Sequence, residues 1–141
     1  MEQITLNKSV AILTLRLLLG FIFLMQGIGK VFTWGVENMY NSPSFHGAYG
    51  DILPDFLIYG TAYYTSYVEL IGGALLVLGF RTNIALYSLA SVLVIVTFGH
   101  GLTEPIWDMQ HVLYRTILLI PLLLLPQAWD RFSLDQLLSK K

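Results

Sequence analysis

The sequence contains no cysteine, and only 12% of its 141 residues are charged. The absence of cysteine excludes disulfides, thiolate metal ligands and cysteine nucleophiles. A soluble domain usually carries about 25% charged residues, so the shortage of charge points to another class of protein. With a net charge of −1, the chain also has no basic surface for a nucleic-acid partner.

Hydrophobic residues are abundant instead and make up 55% of the chain. They form four runs, each close to the roughly 20 residues that cross a hydrocarbon core. Because these runs are continuous rather than alternating, they favour helices over barrel strands. The pattern predicts one all-α domain over 1–141, an integral membrane four-helix bundle. The predicted spans cover about 10–32, 56–79, 83–99 and 109–125.

The positions of the basic residues predict the orientation of the spans. The connections at about 33–55 and 100–108 contain no Lys or Arg, whereas basic residues occur near both termini and at Arg81. The positive-inside rule therefore places both termini in the cytoplasm, with the chain in a bacterial inner membrane. Lys30, at the outer end of the first span, is the exception, and we expect it to snorkel or to face protein.

Two segments lie outside the predicted spans. The outer loop, about 33–55, is rich in aromatic residues, which fits either a functional loop or a cap at the headgroup level. The C-terminal segment, about 129–139, predicts an interfacial helix capped by Ser133, whose role is anchoring to the bilayer.

Ionisable residues inside a span are costly, so they usually face protein, water or one another. Glu69 shares a helix face with Thr65 and Ser66, and we predict that it pairs with Arg115 at matching depth or with Arg16. A polar pocket opening to the outer side is predicted next to this ion pair. Its candidate lining residues are Gln26, Lys30, Tyr63, Tyr67, His100 and His111.

Each of these features also has a structural interpretation. In that interpretation the ion pair only fixes helix register, the histidines end their helices, and the tyrosines form an interfacial belt. Two histidines on different helices are too few to predict a metal site. No phosphate-binding loop, nucleophile elbow or zinc-protease helix is present, so no catalytic residue is assigned.

Two stretches identify a resemblance: "RLLLGFIFLMQGIGKVF" in the first span and "VELIGGALLVLGFRTNIA" across the second and third. In order and at these spacings, they resemble the DoxX family, which is similar to DoxD, the membrane subunit of a thiosulfate:quinone oxidoreductase. The resemblance implies a redox setting more than a reaction; no cofactor is evident in the sequence, and a quinone is the candidate ligand. The motif positions that it carries onto this chain are Arg16, Gly29, Lys30, Glu69, Gly72, Gly73 and Gly79; we expect the four glycines to allow close helix packing.

Three functions follow as hypotheses. The first is a quinone-facing or redox-associated accessory subunit, which would act with other membrane or redox subunits or as a homo-oligomer. The second is a structural or assembly subunit of a larger membrane complex, in which the polar groups only set packing. The third is a small transporter that uses Glu69 to exchange protons.

Overall fold

The computed structural model describes residues 2–104 and 110–139, with only the backbone of residues 2–4 and of His111. The described residues form helices and turns without any strand, which confirms the predicted all-helical fold. Two helices in the described residues, Thr5–Trp34 and Thr82–Thr103, are long and apolar enough to cross a membrane. Val112–Leu124 is a shorter apolar helix.

The described helices follow one another along the chain with short connections. In order they are α1 (Glu2–Ile28), α2 (Val36–Tyr40), α3 (His46–Tyr49), α4 (Asp55–Leu78), α5 (Thr82–Thr103), α6 (Gln110–Leu124) and α7 (Leu134–Leu138). A π-helical segment, Gly29–Trp34, continues α1, and a 3₁₀ turn, Gln127–Trp129, follows α6.

The long helices pack side by side around an apolar core. α1 contacts α4 and α6, and α5 contacts the same two helices. Leu19 and Phe23 of α1, Leu76 of α4 and Leu89 of α5 are fully buried in this core. Large apolar side chains such as Val94 remain exposed on the outside of the helices, as expected for surfaces that face lipid.

The turn between α4 and α5 is tight. Gly79 ends α4 in the left-handed conformation, with a φ of 66°. The Gly79 N–H donates to the Leu76 carbonyl and the Phe80 N–H donates to the Leu75 carbonyl, which is a Schellman ending. Arg81 is also left-handed, with a φ of 47°, and α5 begins at the next residue.

The outer connection is folded rather than extended. It contains α2 and α3, and a second apolar cluster joins it to the start of α4. Val36, Met39 and Tyr40 of α2 are buried there against Ile58 and Ala62 of α4. These contacts hold the outer connection against the bundle as a small cap.

Candidate functional site

The carboxylate of Glu69 is buried inside the bundle and pairs with Lys30. Glu69 is 1% exposed, and its Oε2 lies 2.6 Å from the Lys30 Nζ. Arg115, predicted as the partner, is therefore not the direct ion-pair partner, and Arg16, the predicted alternative, pairs elsewhere. The motif positions Lys30 and Glu69 thus meet directly across two helices.

The partner of Glu69 is determined by how closely α1 crosses α4. A Cβ atom on Gly27 would lie 2.4 Å from the Leu70 Cα, and one on Gly73 would lie 2.3 Å from the Leu24 backbone nitrogen. Since the two backbones touch at these glycines, the long side chain at position 30 needs to bridge only a short gap to reach the carboxylate. A helical wheel does not show how near two helices lie, so the pairing could not be read from it.

Arg115 occupies the other side of the same buried region. It is 7% exposed, and its guanidinium carbon lies 5.5 Å from the Phe23 ring centroid, which is cation–π distance. Glu69 attracts Arg115 through its charge, without forming an ion pair of contact distance. One carboxylate therefore serves two cations, Lys30 in contact and Arg115 farther away.

Besides the Glu69 Oε2 that Lys30 contacts, two acceptor atoms here have no hydrogen-bond partner among the described residues. They are the Oε1 of Glu69 and the Oε1 of Gln26, and both are buried. Gln26 and Lys30 are four residues apart on one face of α1. We refer to Gln26, Lys30, Glu69 and Arg115 as the Glu69 cluster. Lys30 is 24% exposed, so the cluster is reachable at that end.

Tyr63 and Tyr67, predicted as pocket residues, belong to a column of rings along α4. Ring centroids lie 4.5 Å apart for Tyr59 and Tyr63, and 6.4 Å apart for Tyr63 and Tyr67. The Tyr63 hydroxyl donates to the Glu37 Oε2 at 2.9 Å. This bond directs the Tyr63 hydroxyl toward the outer cap, and Tyr67 is 44% exposed.

The two histidines stay predictions as pocket residues. His100 is half-buried in the last turn of α5. The side chain of His111 lies outside the described residues. From the predicted set, the structure therefore brings Lys30 into contact with Glu69 and places Arg115 within reach of the charge of Glu69, and Gln26 lies one turn from Lys30 on α1.

A second polar group, in the outer cap, was not predicted from the sequence. The Tyr40 hydroxyl donates to the Asp55 Oδ1, and the His46 Nε2 lies 3.1 Å from the same oxygen. The hydrogen bond to Asp55 and the burial of the ring raise the pKa of Tyr40 to about 12. Ionisation of Tyr40 would break this bond and place two anions side by side.

We expect Asp55→Ala to lower the pKa of Tyr40 from about 12 toward its ordinary value of 10.0. Because the folded-state pKa is the higher one, the stability from this bond is present below pH 10 and is lost between pH 10 and 12. Phenolate absorbance measures the change as one tyrosine that titrates earlier. Asp51→Ala, four residues earlier in the outer connection, is the matched control, and identical titration curves for both variants would contradict the assignment.

Arg16 lies at the inner end of the bundle and holds the C-terminal segment. Its Nε lies 3.0 Å from the Asp130 Oδ2, and its side chain is 1% exposed. This pairing corrects the prediction that Arg16 is an alternative partner of Glu69. The two terminal nitrogens of the guanidinium donate to three backbone carbonyls, those of Leu76 at 2.5 Å, Val77 at 2.9 Å and Phe132 at 3.3 Å.

The C-terminal segment therefore docks on the bundle and does more than anchor the chain. Asp135 accepts hydrogen bonds from the backbone N–H of Arg81 at 2.7 Å and of Thr82 at 2.9 Å. Burial alone would raise the pKa of Asp135, but these two bonds, together with the Thr82 side chain and the charge of Arg16, lower it. Burial raises the pKa of Asp130, against the opposing effect of Arg16. Two aspartates in an otherwise basic tail were the sequence signal for this contact.

Three of the four glycines expected to allow close packing lie at close contacts. Gly73 touches the backbone of α1, as described above. A Cβ on Gly72 would lie 3.0 Å from the Leu89 side chain, and one on Gly79 would lie 2.7 Å from the Arg16 Nη1. A side chain at any of these positions would therefore displace a neighbour.

Gly29 differs from the other three. Nothing lies within 4 Å of a Cβ on Gly29, so the expected packing role is corrected for this position. Gly27, two residues earlier, provides the close approach on α1 instead. Both glycines occur in "QGIGK". Which of them contacts α4 depends on the side of α1 on which α4 packs.

A groove of about 470 Å³ runs between α5 and α6. Its lining residues are Ala90, Leu93, Val94, Thr97, Phe98, Thr116, Leu119 and Ile120. The Thr97 and Thr116 hydroxyls donate to carbonyls of their own helices, so the groove wall is effectively apolar. Thr116 directly follows Arg115 in α6, but no residue of the Glu69 cluster lines the groove.

Comparison with known proteins gives one match. The family model described as DoxX matches residues 11–101, more than half of the chain. The match includes α1 from residue 11, the outer cap, α4 and nearly all of α5, with Lys30 and Glu69 among the residues covered. The comparisons with curated proteins and with solved structures give no match.

Proposed function

The chain belongs to the DoxX family of membrane proteins, and from this premise we propose that it binds a quinone or hydroquinone at the Glu69 cluster. In this proposal the protein is a redox-associated accessory subunit of a membrane complex. The observation that carries the proposal is the buried, unpartnered Glu69 Oε1 beside two cations.

The head group of such a ligand matches the polar groups of the cluster. A quinone has two carbonyl acceptors, which suit the N–H donors of Lys30 and Arg115. A hydroquinone has two hydroxyl donors, which suit the free Oε1 atoms of Glu69 and Gln26. Since a buried acceptor without a donor costs about 1–3 kcal/mol, a ligand that donates to these atoms gains that energy. The same carboxylate would accept a proton when the hydroquinone is oxidised.

The groove between α5 and α6 suits the apolar tail of the ligand. Its wall is apolar, and one of its lining residues, Thr116, directly follows Arg115 in the sequence. From Ala90 to Thr97 the groove follows α5 for about 10 Å at 1.5 Å per residue. In this proposal a head group held by Arg115 extends its tail into the groove. Ligand sites commonly combine apolar walls with a few placed polar groups in this way.

In this proposal the electron carrier belongs to a partner subunit, and this chain provides the quinone site. The sequence has no cysteine that could ligate an iron–sulfur cluster. The described residues also contain no group of three or more His, Asp or Glu side chains arranged for a metal ion. The transporter hypothesis is less well supported. A transporter would need the Glu69 carboxylate to be accessible from each side of the membrane in turn, and Lys30 already holds this carboxylate.

We further propose four membrane spans in a bacterial inner membrane, with both termini in the cytoplasm. The four spans would be α1, α4, α5 and α6. The docked tail and the turn at Arg81 lie together at one end of the bundle, and basic residues are concentrated at this end. The positive-inside rule favours the cytoplasm for that end. The acidic cap with Glu37 and Asp55 would then face outward.

A thermal-shift experiment on the purified protein tests the ligand. We expect short-tailed quinones and hydroquinones to raise Tm, since a ligand at about 100 times its Kd stabilises the folded state by about 2.7 kcal/mol. The shift should disappear in Glu69→Gln and in Arg115→Met. Glu37→Gln, an exposed outer glutamate, is the matched control and should keep the shift. No shift of the unmodified protein with any of these compounds would rule out the proposal and leave the cluster as a packing device.

A further inference from the structure

A small cavity lies at the inner end of the bundle, away from the Glu69 cluster. Its volume is about 20 Å³. It lies between α1, the beginning of α5, the end of α6 and the 3₁₀ turn that follows. Its lining residues are Ile12, Thr82, Leu122, Leu125, Pro126, Gln127 and Asp130.

Two polar atoms of the lining residues lack a hydrogen-bond partner among the described residues. They are the Thr82 Oγ1 and the Asp130 Oδ1. Thr82 is 8% exposed and Asp130 is 6% exposed, so neither atom reaches bulk water. The other oxygen of Asp130 is held by Arg16 at 3.0 Å. The Thr82 hydroxyl lies close to the Asp135 carboxylate, to which it can direct its proton while its lone pairs still need a donor.

We infer that one ordered water molecule occupies this cavity and donates hydrogen bonds to Thr82 and Asp130. A cavity needs roughly 10–15 Å³ of accessible volume to hold one water, so 20 Å³ suffices for one molecule and is too small for two. A water molecule has two donors, and two acceptors line this cavity. Such a site satisfies both requirements for a buried water, sufficient volume and polar partners.

The charge and the shape of the cavity favour water over a cation. Asp130 is already paired with Arg16, and Asp135 accepts hydrogen bonds from two backbone N–H groups, so each nearby carboxylate already has a partner. Hard cations take about six or more oxygen ligands, whereas the side-chain oxygens that line this cavity come from Thr82, Gln127 and Asp130. The other lining side chains are apolar.

The water would join two parts of the chain that are distant in sequence. Thr82 begins α5, and Asp130 belongs to the segment that Arg16 holds. A bridge between them would couple the α4–α5 turn to the docked tail through side chains. Asp135 of the tail already accepts a hydrogen bond from the backbone of the same turn. The water would add a second polar link between the tail and this turn.

High-resolution structure determination and a melting series on the full chain test the inference together. We expect one density peak at hydrogen-bond distance from the Thr82 and Asp130 oxygens. Thr82→Val keeps the shape of the side chain but removes the hydroxyl, which is both the acceptor for the water and a donor to Asp135. We expect it to lose the peak, which reports the water, and to lower Tm by roughly 3–6 °C, which reports both contacts. Thr82→Ser keeps the hydroxyl and should keep the peak.

Thr65→Val is the matched control, because Thr65 is 3% exposed and its hydroxyl bonds to the Thr61 carbonyl of its own helix. It should leave the density at Thr82 unchanged. The inference is overturned if the cavity of the unmodified protein shows no density, or if Thr82→Val keeps the peak. A Tm that rises in sodium chloride relative to choline chloride, and does so only when Thr82 is present, would instead assign the site to a cation.

Discussion

Arg16→Met is expected to lower the free energy of unfolding by about 3–5 kcal/mol, the range for removing one partner of a buried ion pair. The change leaves the Asp130 carboxylate buried without its cation. It also removes the donors to the carbonyls of Leu76, Val77 and Phe132. Because these bonds hold the end of α4 and the C-terminal segment to α1, we expect the segment to detach as the protein loses stability.

Unfolding in mixed detergent, followed by tryptophan fluorescence, measures this loss of stability. Trp129 is a local reporter, since it lies in the 3₁₀ turn beside the docked segment and the Lys8 Nζ lies 4.2 Å from its ring centroid. Protease cleavage after Arg131 reports detachment of the segment. An unchanged stability of Arg16→Met would show that the pair with Asp130 is not formed.

Two further variants separate the buried pair from a general effect of removing charge. Arg131→Met is the matched control, because Arg131 is an exposed arginine next to Asp130 in the sequence. We expect it to change the free energy of unfolding by less than about 0.5 kcal/mol, as is usual for a surface substitution. Asp130→Leu combined with Arg16→Met should restore part of the stability, since the orphaned charge is gone.

The inner end shows which part of this arrangement can be predicted from sequence. The basic turn and the left-handed ending at Gly79 follow from local chemistry, since glycine adopts a positive φ without a Cβ penalty. The pairing of Arg16 with Asp130 does not, because it joins residues that only tertiary packing brings together. A polar, amphipathic tail predicts a surface helix equally well on lipid or on protein.

The Glu69 cluster shows the same limit. Periodicity places Glu69 on a face with Thr65 and Ser66, and all three are buried. Which cation reaches the carboxylate depends on how closely the helices approach, and here the distance is set by Gly27 and its contact with Leu70. Helical spacing gives the direction of a side chain but not the gap that it must cross.

The structure of the outer connection was harder to predict from sequence than that of the spans. α2 and α3 are only five and four residues long, too short to be stable on their own. The apolar residues of the connection are buried only because they pack on Ile58 and Ala62 of α4, and this contact cannot be seen within the connection's own sequence. The hydrogen bond from Tyr40 to Asp55 likewise joins the connection to the start of α4, and no local motif indicates it.

Gly73→Ala is expected to destabilise the fold by about 3 kcal/mol, the upper end of the usual range for overpacking. A Cβ at this position would lie 2.3 Å from the Leu24 nitrogen, 2.7 Å from the Leu24 Cα and 3.0 Å from the Gly20 carbonyl oxygen. All three are backbone atoms, so no side chain can rotate away, and α1 itself must move. Thermal or detergent unfolding of the purified protein measures the effect.

Gly60→Ala is the matched control, because it lies on the same helix and nothing lies within 4 Å of its Cβ. It should be neutral or stabilising by up to about 1 kcal/mol, since alanine is the better helix former. Gly29→Ala should behave like this control, and Gly27→Ala like Gly73→Ala. Equal effects at the close and the open positions would contradict the close crossing of α1 and α4.

The same crossing also brings Lys30 to Glu69, so packing and ligand binding should fail together in Gly73→Ala. If α1 moves away from α4, the 2.6 Å contact between Lys30 and Glu69 lengthens and the cluster loses its arrangement of donors and acceptors. Quinone-dependent stabilisation should therefore fall in Gly73→Ala and persist in Gly60→Ala. A variant that loses stability but keeps the full quinone shift would separate the crossing from the ligand site.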